Sequence, residues 1–369
     1  MKFQKGITVT GIHCEPRWAY PIYHERAVKK EDFIRIRDMG FDHVRLLAEH
    51  DALMTEDFPP VWKEDGWTRL DEVIGWAQES GLEVIICMRS VPGYCYRNAY
   101  HLIDHANTLF ESVGQREMFL ELWEKIALRY KDRGDDMAFE LLDRVGMVLY
   151  FNGILMKGFG WNKLAGLAIE QIRKISQDRW IILNAEGFGS PENLKELSVL
   201  EKDSKIAYAF SFYKPELFAK QAAFNHQVIV DYNSMTHNIK SELIYYPGII
   251  PGIEKFLEKF PKYKASMGHY KNAPMDDTLL ETVDFAPVAE FRKEYPDKVL
   301  YMNSFACVQY ADPDSRSNWL RCVIGLCEKY NIGQCYYRYL GSRWGIVDAL
   351  DETYIDEVAL EAMFPERRK

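Results

Sequence analysis

No apolar run in this chain approaches the ~20 residues that a membrane-spanning helix needs, so no such helix is expected. Paired-cysteine architecture is also missing. The 7 cysteines are odd in number and scattered through strand-like and helix-like segments, which fits reduced thiols and not a disulfide framework. There is no glycine-rich phosphate loop, no G-x-S-x-G elbow and no H-E-x-x-H pair. Basic surplus is lacking too: the formal charge is −9, which argues against nucleic acid or an anionic membrane as partner. The opening Met1-Lys2-Phe3-Gln4-Lys5-Gly6 runs into the first predicted strand without a signal-peptide h-region, and with the odd cysteine count the expected location is cytoplasmic.

What the chain does have is core-forming material. It is 369 residues long and 47% hydrophobic, with 9 Trp, 22 Tyr and 20 Phe. Aromatics at this density fill large cores and also stack on sugar rings. Short apolar segments alternate with longer amphipathic ones, which predicts βα units around a parallel sheet. The predicted strands are Ile7–Thr10, His43–Leu47, Glu83–Met88, Met137–Leu142, Trp180–Asn184, Ile206–Phe212, Val299–Met302 and Gln334–Tyr339. Helical patterns include Leu70–Glu79, Met118–Tyr130, Leu164–Ser176, Val288–Tyr295 and Trp319–Lys329, with Gly40, Gly81 and Gly134 where helix-ending glycines are expected. Eight such repeats predict one α/β domain over residues 1–369, a single (β/α)₈ TIM barrel with its site at the C-terminal strand ends. Residues 214–284 are too long for one βα connection and predict an elaborated loop and helix over the barrel top, a packed Ω-type loop or a cleft wall.

Several motifs carry a resemblance. Gly40-Phe41-Asp42-His43-Val44-Arg45, Phe139-Glu140-Leu141-Leu142-Asp143-Arg144-Val145 and Leu300-Tyr301-Met302-Asn303-Ser304-Phe305-Ala306 follow one another in the order and spacing of glycoside hydrolase family 5. Phe210-Ser211-Phe212-Tyr213 and Trp344-Gly345-Ile346 extend the match, so that the chain resembles this cellulase and mannanase family over nearly its whole length. The family's acid/base motif reads F-E-L-L-N-E-P and its nucleophile motif G-E-F-G. The resemblance therefore places Arg144 at the acid/base position and Ser304 at the nucleophile position. It also places Arg89 and Ser211 where the family has histidines, Asp143 where it has asparagine and Tyr337 where it has tryptophan. Only Arg45 and Tyr213 are kept.

The chemical consequence is direct. A retaining glycosidase needs two carboxyl groups about 5–5.5 Å apart. Arginine, with a pKa above ~12, cannot serve as general acid, and serine without a paired base is a poor nucleophile. The expectation is a pseudoenzyme, a pseudoglycosidase that is not catalytic. It would hold a carbohydrate or anionic sugar in the former cleft through Arg45, Arg89, Asp143, Arg144, Ser211, Tyr213, Ser304 and Tyr337, or act through a protein partner that the sequence leaves unnamed. The alternative is an active hydrolase with relocated carboxylates such as Asp143 and Glu186; Glu49, Asp51 and Asp231 are further candidates. Two cations ~5 Å apart repel by roughly 3 kcal/mol at an effective dielectric of 20. Arg45, Arg89 and Arg144 therefore require either internal pairing with Asp143 or a bound anion. His101 with His105, and His13 with Cys14, are read as ordinary surface and buried pairs; no metal or cofactor is expected.

Overall fold

The computed structural model describes residues 1, 3–13, 26–95, 108–146, 150–151, 154–155, 160–223, 226–235, 243–271 and 273–368. Cys14, His101 and His105 lie outside them. Eight parallel strands close on themselves: β1 (Lys5–Val9), β2 (His43–Glu49), β3 (Glu83–Val91), β4 (Met137–Glu140), β5 (Trp180–Asn184), β6 (Ile206–Phe212), β7 (Val299–Phe305) and β8 (Gly333–Tyr336). β2 pairs with both β1 and β3, and β8 with β7 and β1, so the barrel has no open edge. This is the predicted (β/α)₈ TIM barrel. No helix among the described residues is long and apolar enough to cross a membrane.

The helices form where apolar residues recur at helical spacing. They are α1 (Lys30–Met39), α2 (Glu64–Glu79), α3 (Val113–Arg129), α4 (Trp161–Ile175), α5 (Ala286–Glu294), α6 (Pro313–Lys329) and α7 (Glu357–Met363). In α2, Trp67, Leu70, Val73, Ile74 and Ala77 are buried, one stripe at intervals of three and four. Side-chain oxygens of Ser112, Asp312 and Asp356 accept from backbone N–H groups and cap α3, α6 and α7. Gly40 ends α1 with φ 105°, as its position predicts. Gly134 does not play that part, because α3 ends at Arg129, before a further turn.

Three helix tryptophans brace the C-terminal strand ends. Trp123 of α3 donates to the Leu141 carbonyl, Trp161 of α4 to Asn184 and Trp319 of α6 to Lys214, at 3.2, 2.8 and 2.8 Å. Each indole thus fixes the chain at or just past a strand end. At the opposite end, Phe3, Ile85, Ala138, Ile182, Ala207, Ala209, Tyr301 and Cys335 plug the barrel. There His43 is fully buried between Asp42 and Tyr301, 2.5 and 2.8 Å away. A Cβ on Gly6 would sit 2.0 Å from His43 Nε2, so only glycine admits the ring there.

Residues 214–284 are more helical than a loop-dominated reading suggests. They contain helices Glu216–Ala219, Gln227–Asn233 and Ile253–Lys259, several single turns and an aromatic core of its own. Phe256 packs on Tyr232 and Tyr263 with centroids 5.5 and 5.2 Å apart. Tyr263 donates to Asp231, while Tyr270 donates to Asp284.

Candidate active site

The C-terminal strand ends converge on two layers, a buried polar floor and a cleft above it. The floor begins with Arg45 of β2, 1% exposed. Its Nε and Nη2 donate to the two oxygens of Glu140 at 2.6 and 2.7 Å, and Nη2 also donates to Asp143 at 2.5 Å. Asn184 and Asn303 donate to Glu140 Oε1 at 2.6 and 2.8 Å, and Ser211 donates to Asn303 at 3.0 Å. Buried charges persist only when paired and hydrogen-bonded, and here one cation serves two carboxylates. Burial opposes the charge on Asp143, yet Arg45 and then Arg144 overcome it and hold the carboxyl below its ordinary range. Cys87, Glu140 and Asp143 lie close enough to suggest a metal-binding cluster, but Arg45 already fills their centre.

A bulge shapes the next wall. β7 pairs Met302 with Phe210 and Ser304 with Ser211, leaving Asn303 as an extra residue. Neighbours in a regular strand point to opposite faces. The bulge lets Asn303 reach the floor while Ser304 still meets the cleft, its Oγ 2.6 Å from the Tyr213 hydroxyl. Burial pushes the Tyr213 phenol up to about 12.

Arg144 occupies a left-handed backbone position, φ 48°. Such a conformation costs a non-glycine residue ~1–3 kcal/mol and survives only where its surroundings enforce it. Here Tyr94 does so: its hydroxyl donates to the Arg144 carbonyl at 2.8 Å and accepts from the Gly146 N–H at 2.6 Å. The Phe188 N–H donates to Val145 at 2.7 Å and ties this turn to the segment after β5. The guanidinium lies over the rings of Tyr337 and Tyr213, 5.2 and 5.9 Å from their centroids, and its Nε is 3.9 Å from Asp143. Trp344 meets Tyr213 edge-on at 6.0 Å.

Of the residues singled out by sequence, Arg144, Tyr213, Ser304 and Tyr337 come together around the cleft. Arg45 and Asp143 instead form the floor beneath it, and Ser211 is turned to Asn303. Arg89 is buried beside Glu49 at 3.3 Å. Glu186, half-buried just past β5, has its carboxyl raised by burial and by Glu196. Asp231 belongs to the 214–284 segment, paired with Lys262 at 2.8 Å. His13 faces the Gly66 carbonyl at 3.2 Å. Sequence reasoning missed Glu140, Asn184 and Asn303, although each is a polar residue inside an otherwise apolar strand, and it missed Tyr94.

The pairing answers the charge problem posed by the arginines. Arg45 is matched by Glu140, which the sequence reading left out of the cluster, and by Asp143.

Comparison with known proteins identifies the family. The family described as Cellulase (glycosyl hydrolase family 5) matches residues 2–245. Endoglucanase C of Acetivibrio thermocellus is 30% identical over 339 residues, 92% of this chain and 92% of that protein. Cellodextrinase A of Ruminococcus flavefaciens is 29% identical over 307 residues, 83% of this chain and 77% of that protein. Among solved structures, endoglucanase Cel5A of Thermotoga maritima superimposes with a TM-score of 0.69 at 24% identity, covering 98% of this chain and 97% of that one.

These relatives overturn the expectation that the chain is not an enzyme: similarity to a named endoglucanase over 92% of its length points to a glycoside hydrolase. Arg144 and Ser304 exclude two-carboxylate chemistry at their own two positions and say nothing of other carboxylates in the cleft. With a family match over most of its length and the family's barrel beneath its cleft, the chain belongs to glycosyl hydrolase family 5.

Proposed function

We propose that this family 5 chain is a glycoside hydrolase whose proton chemistry has moved from positions 144 and 304 to Glu186 and Asp143. One observation carries the reading. The Phe188–Val145 hydrogen bond sets the segment that carries Glu186 beside the turn that carries Asp143, and their surroundings displace the two carboxyls in opposite directions, Glu186 up and Asp143 down. A pair of carboxyls driven apart in this way is the usual division between a proton donor and a group that stays ionised. Glu186 donates its proton to the leaving glycosidic oxygen as the C–O bond breaks, water adds to the anomeric carbon and returns a proton to Glu186, and Asp143 remains a carboxylate held by Arg45. Tyr213, Tyr337 and Trp344 supply the aromatic faces on which a sugar ring stacks. The named relatives are endoglucanases and a cellodextrinase, and neighbouring structures hold cellobiose or mannotriose, so an oligosaccharide is the ligand proposed.

The test is hydrolysis of a panel of glycans and aryl glycosides by the purified chain, beside Glu186→Gln and Asp143→Asn. Wild-type turnover that falls roughly 10²–10⁴-fold in Glu186→Gln is the expected result. A silent wild type, or full turnover in Glu186→Gln, overturns the reading.

A further inference from the structure

We infer that Phe188 is a positioning residue: its ring and its left-handed backbone fix where the Glu186 carboxyl stands relative to Asp143. The inference rests on the hydrolase reading above and names the side chain that holds its two carboxyls in register.

The backbone after β5 comes first. Directly beyond Glu186 the chain takes three left-handed residues in a row, Gly187, Phe188 and Gly189, with φ 65°, 62° and 80°. The run folds the segment back on itself. The Glu186 carbonyl then accepts from the Ser190 N–H at 3.2 Å and from the Asn193 side-chain amide at 3.0 Å. Glycine takes this conformation freely. At both of its positions a side chain is also barred: a Cβ on Gly187 would lie 2.3 Å from Asn193 Nδ2, and one on Gly189 2.8 Å from Ser211 Oγ. Phenylalanine between them is different. A bulky residue in this region is a backbone outlier that persists only where its surroundings enforce it, and such outliers gather at functional sites.

The neighbouring turn does the enforcing. The Phe188 N–H donates to the Val145 carbonyl at 2.7 Å. The ring edge lies along Gly146, where a Cβ would be 3.6 Å from its Cε1. The main-chain bond alone needs no phenylalanine. The ring adds a second point of contact, and two points fix an orientation where one leaves a hinge. Across that bond, one residue before Val145, stands Arg144, also left-handed at φ 48°. Among the described residues five non-glycine positions have positive φ, and two of the five meet at this junction. It lies between the segment of Glu186 and the turn of Asp143. Misplacing a reacting group by about 1 Å can cost roughly 10²-fold in rate. The junction therefore bears on kcat, and the sugar contacts of Tyr213, Tyr337 and Trp344 are left to set KM.

The experiment is steady-state hydrolysis of an aryl cellobioside by the intact chain, by Phe188→Asn, Phe188→Tyr and Glu186→Gln, and by the double variant Glu186→Gln/Phe188→Asn. Asparagine accepts a left-handed backbone but lacks the ring, whereas tyrosine keeps the ring. Phe188→Asn is expected to lose about tenfold in kcat with KM within about twofold, and Phe188→Tyr to keep the wild-type kcat. In the Glu186→Gln background the Phe188→Asn loss should vanish, because the carboxyl it positions is gone. Phe188→Leu, apolar but without the reach of the ring, is read the same way if Phe188→Asn does not fold. An unchanged kcat in Phe188→Asn, a loss confined to KM, an equal loss in Phe188→Tyr, or the same loss with Glu186 already removed overturns this inference and leaves the hydrolase reading standing. A silent wild type, or full turnover in Glu186→Gln, overturns the hydrolase reading and this inference with it.

Discussion

The hydroxyls of Tyr213 and Ser304 stand 2.6 Å apart, with the guanidinium of Arg144 over the same tyrosine ring. A carboxylate at 304 would meet a ready donor in Tyr213. A carboxylate at 144 would instead face Asp143, whose cation Arg45 is already shared with Glu140. The variant to make therefore combines Asp143→Asn, Arg144→Glu and Ser304→Glu. Made in a Glu186→Gln background, its turnover on an aryl cellobioside should exceed that of Glu186→Gln alone by about 10²-fold, the lower end of positioned acid–base catalysis. A variant that folds by circular dichroism yet stays at the rate of Glu186→Gln alone would show that the cleft no longer seats a bond between the two positions.

Arg45→Met should be severe. Methionine fills the stem of the arginine but leaves Glu140 and Asp143 facing each other, 0% and 2% exposed, with no cation between them. Breaking a buried pair from one side costs about 3–5 kcal/mol. Urea denaturation should show a loss of that order, or no folded protein; a loss below ~1 kcal/mol would mean that one carboxyl simply takes up a proton.

Stability should fall on the alkaline side. Burial alone would discharge His43, but Asp42 and then Cys335 outweigh it and raise the imidazole to about 9, against an ordinary value of 6.5. A folded-state pKa above the unfolded one gives stability that is complete below pH 6.5 and is lost as pH rises through 9. Thermal melts from pH 6 to pH 10 should decline across that window in the wild type and more weakly in His43→Asn. Parallel slopes would remove His43 as the cause.

Tyr94→Phe deletes one hydroxyl and disturbs two backbone groups. The Gly146 N–H loses its acceptor and the Arg144 carbonyl its donor. Leaving buried polar groups unmatched costs about 1–3 kcal/mol. Chemical denaturation should register that loss while far-ultraviolet dichroism stays that of the barrel; an unchanged midpoint would show that Phe188 alone holds the turn.

The barrel was legible because its period is written in the apolar residues. Trp180–Asn184 and Ile206–Phe212 begin and end where their patterns do. β7 runs on to Phe305 because the bulge at Asn303 breaks the two-residue rhythm without ending the strand. The cleft could be read only through motif positions. Arg144, Tyr213, Ser304 and Tyr337 do gather there, but pattern alone cannot say that Arg45 points down to Glu140. Glu140 itself was passed over because an acid inside an apolar strand has no local signature of its partner, 95 residues away. Nor does any local signal join Tyr94 to Arg144, a contact that only closing the barrel creates.

The stitching around Arg144 has a mechanical consequence. Tyr94 comes from the loop after β3, Arg144 to Gly146 from the turn after β4, and Phe188 from the segment after β5 that carries Glu186. Three consecutive connections are thus laced into one plate by the buried Tyr94 hydroxyl and by main-chain atoms. A ligand that displaces the guanidinium cannot tilt its turn alone. It must drag the rim on both sides, so occupancy on one shore of the cleft is felt by the carboxyl on the other.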